Sequence, residues 1–128
     1  MNMQKLTQKS IEALTTAHNI GVERHHQSIG QEHLLLALLE AEEGLIPELW
    51  QKMNLSKDDT ARKVRSELDK LPRITGSYDP ESVYLSSALN SALTAAESRA
   101  QAMKDDYVSV EHLLLGLDND YHGSCGRS

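Results

Sequence analysis

The chain has 128 residues, with thirteen Lys and Arg against nineteen Asp and Glu and a formal net charge of -6. That length suits one domain with a real core and leaves little room for an elaborate catalytic apparatus, and the negative field opposes a phosphate backbone, so nucleic acid is not an expected partner. No run approaches the roughly 18–20 consecutive apolar residues that cross a bilayer, and "MNMQKLTQKS" lacks the apolar run of a signal peptide, so the expectation is a cytoplasmic protein without membrane contact.

Helical periodicity dominates from the start, and alternating strand patterns are absent. Leu6, Ile11, Leu14, Ala17 and Ile20 recur at helical spacing, and Thr7 stands as an N-cap between Leu6 and Ile11, a pair able to form a hydrophobic staple. A first helix is predicted from about Gln8 to Arg24. "GQEHLLLALLEAEEG" follows Gly30, is apolar nearly all round, and meets Gly44 as a stop, so it predicts a buried central helix. Pro47 suits the first turn of a short helix through Met53, and Ser56 to Asp59 can cap a fourth helix ending near Lys70. Pro72, Gly76 and Pro80 within "LPRITGSYDP" make a joining loop. A long helix from about Ser82 to Met103 and another from Val110 to about Asp118 complete the pattern. "YHGSCGRS" at 121–128 is expected to be a flexible tail outside the fold, its lone Cys125 an inert thiol.

"EHLLLALLE" begins at Glu32 and "EHLLLGLDN" at Glu111, 79 positions later. Laying residues 6–40 over 85–119 without a gap also matches Leu6 with Leu85, Ala13 with Ala92, Leu14 with Leu93 and Ala17 with Ala96. A helical hairpin is therefore written twice. One copy cannot bury its own leucine face, so the predicted fold is an all-α, single-domain bundle of two pseudo-two-fold-related repeats around one core. The boundaries read as repeat one 4–71, linker 72–81 and a truncated repeat two 82–120. Because nothing after Asn119 resembles the helices that follow the first leucine run, Leu113–Leu117 are expected to keep part of their apolar face uncovered unless the first repeat or a second copy covers it.

Packing accounts for the leucines but not for the Glu–His pairs. Glu32 and Glu111 fall in the first turn of a helix, where the exposed N–H groups favour a carboxylate by roughly 0.3–1 kcal/mol, and this explains them without any ligand. His33 and His112 read as half-buried rings bonded to nearby backbone, and His25 and His26 in "RHH" read as a solvated helix end. Neither HExxH nor a Cys/His zinc pattern occurs, so no metal is expected. There is no G-x-S-x-G elbow, and no Gly is followed by Lys, which removes the GxxxxGK[ST] phosphate loop. Trp50 and Met53 read as core edge. The missing catalytic constellations point to binding rather than to an enzyme.

"LTQKSIEAL", "IGQEHLLLALLE", "GLIPELWQKM" and "YVSVEHLLLGL" resemble the duplicated Clp repeat at the N-terminus of Clp-family AAA+ unfoldases, over about residues 4–120. "GLIPELWQKMNL" and "LDKLPRITGS" look like the ClpB-type disaggregase branch, and "VSVEH" departs from the "VGTEH" of ClpC-type relatives. The resemblance implies a helical module that engages unfolded or aggregated polypeptide for a motor absent from these residues. It implies no cofactor in this chain, with ATP expected only in the AAA+ modules of a parent. The family's polar binding positions fall on Thr7, Asp105 and Glu111, with Tyr107 and Val108 bordering an apolar groove. Partners implied are unfolded or aggregated polypeptides, the rest of a ClpB-like chain, and adaptor proteins. The alternative is a ClpC-like receptor for adaptors or phosphoarginine-tagged substrates, in which helix starts at Thr7 and Ser86 would hold phosphate while Glu32 and Glu111 hold guanidinium.

Overall fold

A computed structural model of the chain describes residues 3–40 and 57–117. Five α-helices lie among the described residues: α1 (Gln8–Glu23), α2 (Gln31–Glu40), α3 (Lys57–Asp69), α4 (Ser87–Ala102) and α5 (Val110–Gly116). Single 3₁₀ turns sit at Met3–Lys5 and Pro80–Ser82. The predicted Gly44 stop, the Pro47–Met53 helix with Trp50, and the 121–128 tail with Cys125 lie outside the described residues.

Both hairpins are built the same way because their ends are written the same way. Thr7 caps α1 by accepting from the Ser10 N–H at 3.2 Å, and Ser86 caps α4 by accepting from the Leu89 N–H at 3.1 Å. Each long helix stops in the same left-handed corner, at His25 (φ 56°) and Lys104 (φ 59°). There the His26 N–H returns to the Gly21 carbonyl at 2.9 Å and the Asp105 N–H to the Ala100 carbonyl at 2.8 Å, the six-to-one bond of a Schellman ending. These pairs are all 79 residues apart.

The two hairpins hold each other by exchanged edges. β1 (Ser28–Ile29) runs parallel to β2 (Tyr84–Leu85), and Leu6 bridges Val108 in the same sense. The Ser86 N–H donates to the Ile29 carbonyl at 2.9 Å, and at the equivalent place the Thr7 N–H donates to the Val108 carbonyl at 3.1 Å. Each repeat gives the other the same contact it receives, which is the signature of a two-fold relation. These short edges were not foreseen in a sequence without strand periodicity; two residues are too few for one.

They also correct the start of α4. The helix begins at Ser87, not near Ser82, because Tyr84 and Leu85 are extended to reach Gln27 and Ile29, and Pro80–Ser82 forms a separate turn capped by Asp79. The joining segment is docked: Tyr78 donates its hydroxyl to the His26 carbonyl at 2.9 Å and stacks on His25 at 4.5 Å between ring centroids. The solvated helix end expected here therefore holds for His25, which stays exposed under Tyr78, but not for His26. His26 is 2% exposed and bonds His33.

The core is one cluster. Leu34 to Leu39 of α2 are all buried, with Ala13, Ala17 and Ile20 of α1, Val64 and Leu68 of α3, and Leu89, Ala92, Leu93 and Ala96 of α4 around them. Leu6 and Ile11 both pack on this cluster, as a staple requires. Small residues set the closest approaches: a Cβ on Gly116 would stand 2.4 Å from the Ala92 carbonyl oxygen, so α5 packs on α4 backbone to backbone. Leu113, Leu114 and Leu117 are covered, leaving Leu115 at 47% exposure where its counterpart Leu36 has 1%. Only one leucine of the second run is uncovered.

Candidate functional site

The Schellman corner after α4 throws Asp105, Asp106 and Tyr107 outward before Val108 turns in to join Leu6. An open recess of about 360 Å³ forms there, walled by Met103, Asp105, Asp106 and Tyr107 on the corner and by Ser109, Glu111 and His112 on the start of α5. Met103 and Tyr107 are 55% and 58% exposed, large values for apolar and aromatic side chains. Three carboxylates beside two uncovered greasy groups, with no Lys or Arg in the wall, suit a ligand that is both basic and apolar.

The carboxylates are not equally free. His112 is buried, and its Nδ1 accepts from the Ser109 N–H at 2.9 Å, so a neutral ring carries its proton on Nε2. That proton points at Asp105 Oδ2, 3.0 Å away. The Ser109 amide and the His112 ring thus make a capping box in which His takes the N3 place usually held by Glu or Gln. The Ser109 hydroxyl also lies 3.0 Å from His112 Nδ1, completing a Ser–His–Asp chain. Hydroxyl activation needs a free lone pair on that nitrogen, and the Ser109 amide already holds it, so the chain is suited to fixing Asp105 rather than to nucleophilic attack.

In the first repeat the same two places hold His26 and His33. His33 Nδ1 accepts from the Gly30 N–H at 2.9 Å, and its Nε2 meets His26 Nδ1 at 2.8 Å. Burial, with the neighbouring His26 and Arg24 adding to it, holds His33 down to about 4. Burial also lowers His26, with Arg24 and Arg73 acting in the same direction. This is a closed neutral clasp, and the sequence reading of half-buried rings bonded to backbone understated it: both His33 and His112 are buried, at 1% and 4% exposure.

Asp105, Tyr107 and Glu111 are brought together on the recess. Thr7 is not in its wall. Its hydroxyl donates to Ser10 Oγ at 3.0 Å while capping α1, and Ser10 in turn donates to the Val108 carbonyl at 2.9 Å, so Thr7 supports the recess from behind. Val108 is 1% exposed and belongs to the core, which corrects its expected place on a groove: pairing with Leu6 turns its side chain inward. Glu32 stands in the other repeat, close to Gly30 and on the side of Ser86, away from this recess. Met103, Asp106, Ser109 and His112 are site residues that sequence reasoning missed. The signal for His112 was Ser109 three residues ahead of it, a cap-to-N3 spacing that normally ends in Glu or Gln. Among the described residues no group of three or more His, Cys, Asp or Glu side chains is placed to hold a metal ion, and no helix is long and apolar enough to cross a membrane.

The duplicated hairpin with exchanged edges and a recess at one corner defines a class of small all-helical repeat domain. The family described as Clp repeat (R) N-terminal domain matches residues 5–127, and the chain belongs to it. Chaperone protein ClpB of Bacillus cereus is 38% identical over 121 residues, 94% of this chain and 14% of that protein. The chain therefore spans about one seventh of the length of such a relative. The Hsp104 N-terminal domain from Candida albicans has the same fold, with a TM-score of 0.84 at 23% identity over 97% of this chain and 83% of that one. The N-terminal domain of the ClpV1 ATPase from E. coli EAEC Sci1 T6SS gives a TM-score of 0.79 at 26% identity, covering 98% and 78%.

Proposed function

We propose that this domain recognises unfolded or aggregated polypeptide for a ClpB-like disaggregase, as the non-catalytic, cofactor-free part of a longer cytoplasmic chain whose AAA+ modules bind the ATP. The observation that carries this reading is the recess itself: Asp105, Asp106 and Glu111 flank exposed Met103 and Tyr107 in a chain of the Clp repeat family. An unfolded segment supplies what such a surface lacks, namely basic side chains, unpaired N–H groups and loose apolar side chains. A shallow open recess gives weak affinity and tolerates many sequences, and tethering to a motor compensates through effective concentration. Adaptor proteins and the rest of the parent chain are the further partners this role requires.

Two features favour this over a receptor for phosphoarginine at two equivalent helix starts. Thr7 and Ser86 each already accept from a backbone N–H of their own helix, and the two corners differ in chemistry, with Asp105, Tyr107 and Ser109 replaced by His26, Ser28 and Gly30. Titration of fluorescein-labelled α-casein and, separately, of phosphoarginine into the ¹⁵N-labelled chain tests the reading. Casein is expected to shift the amides of 103–112, to lose affinity with salt, and to bind more weakly to Asp105→Ala and Glu111→Ala at unchanged helicity. Shifts confined to residues near Thr7 and Ser86, or casein binding unaffected by both substitutions, refute it.

A further inference from the structure

The two repeats contain the same structural histidine set against different neighbours. His33 and His112 occupy equivalent places, and each has its Nδ1 pinned by the amide of the residue that starts its helix. Each therefore has one Nε2 proton to give. In the first repeat that proton goes to His26, itself 2% exposed, so the hydrogen bond ends inside the protein. In the second it goes to Asp105, whose side chain is 47% exposed and lines the recess. A carboxylate at a corner following a left-handed residue has several rotamers open to it. A bond from a ring that is buried and cannot turn selects one of them, engaging Oδ2 and leaving the lone pairs of the other oxygen for a ligand.

Resting on the reading of the recess as the polypeptide site, we propose that His112 is a positioning residue for binding: it holds the Asp105 carboxylate at the recess, and because His33 faces His26 instead, the duplicated fold carries one such site. His112 touches the ligand through Asp105 or not at all. The fold's own symmetry supplies the control, since removing His33 deletes an equally buried ring with an equivalent cap bond but no carboxylate.

The experiment is an anisotropy titration of fluorescein-labelled α-casein at low salt, with the whole chain and each variant compared at a matched folded fraction. Asp105→Asn is expected to weaken binding roughly three- to tenfold, the range for a charge-assisted bond at a half-exposed site. His112→Leu should weaken it by a similar factor, and by less than about 1.5-fold once Asp105→Asn is present, because residues acting through one another do not add. His112→Gln should recover most of the affinity, since its amide can accept from the Ser109 N–H and donate to Asp105. His33→Leu should leave affinity within about 1.5-fold of the parent. A His112→Leu effect that persists in the Asp105→Asn background, or an equal loss in His33→Leu, overturns the positioning role while the site stands. If Asp105→Asn binds like the parent, the site reading and the positioning role fall together. Should His112→Leu not fold, the same cycle with His112→Phe and the imidazole ¹⁵N spectrum of the parent decide: a neutral Nε2–H ring whose nitrogen shifts move in Asp105→Asn supports the proposal, and an Nδ1–H ring overturns it.

Discussion

Lowering the pH should destabilise this fold through the buried His26–His33 pair, and the share of His33 can be isolated. His33 is neutral in the folded protein because Nδ1 accepts from Gly30, Nε2 donates to His26, and a second proton, on Nδ1, would face the Gly30 N–H in a buried place. Unfolded, it protonates near the ordinary 6.5; folded, it is held down to about 4. Above pH 6.5 both states are neutral and the clasp contributes fully. Between 6.5 and 4 the unfolded chain binds the proton and the folded chain does not, so stability falls by about 1.4 kcal/mol per pH unit, on the order of 3 kcal/mol across the window. Below 4 this ring adds nothing further. The measurement is urea unfolding at pH 7.5, 6.5, 5.5 and 4.5 for the parent and for His33→Gln, in which glutamine keeps the reach back to the Gly30 N–H but does not titrate. Both chains share every carboxylate, so those contributions cancel in the difference. The parent's advantage should shrink steadily below pH 6.5. A difference that stays constant from pH 7.5 to 4.5 refutes the reasoning.

Two shorter predictions compare equivalent positions of the repeats, a third tests a strained corner and a fourth tests nucleotide binding. Gly21 and Ile29 stand where the second repeat has Ala100 and Val108, and a Cβ on Gly21 would come 2.2 Å from Ile29 Cδ1; Gly21→Ala should cost about 1–3 kcal/mol, and Ile29→Val should restore much of it, read as coupling in a double-mutant cycle. Leu36→Ala should cost about 2–5 kcal/mol and Leu115→Ala under about 1 kcal/mol, since only the former leaves a cavity. Lys104→Gly should raise the thermal midpoint, gaining about 0.5–1 kcal/mol by relieving the left-handed corner at φ 59°. Calorimetric titration with ATP at micromolar nucleotide should show no saturable binding, because no phosphate loop can be assembled from these residues.

The repeated word made the architecture legible before any coordinates. An uninterrupted 79-residue offset implies equivalent caps, equivalent corners and an exchanged interface, and the same offset applied to Gln8 gives Ser87, the true start of α4. Periodicity alone misplaced that start near Ser82, because Tyr84 and Leu85 are apolar enough to pass for a helix turn and are extended only through partners in the other repeat. The recess was legible in its residue types but not in its geometry. Asp105 and Glu111 could be placed by resemblance, whereas Val108's inward turn depends on Leu6, 102 positions away, and His112's hold on Asp105 depends on a left-handed corner at Lys104 that carries no glycine to announce it.

The exchanged edges also order events during synthesis. Leu6 and Ile29 leave the ribosome well before their partners Val108 and Leu85, and at roughly 5–20 residues per second the first hairpin waits several seconds for them. Throughout that interval its leucine helix keeps in water the part of its apolar face that the second hairpin covers. A nascent chain of this protein is thus for a time the kind of client its finished surface is proposed to catch, and the second hairpin ends that exposure as it emerges.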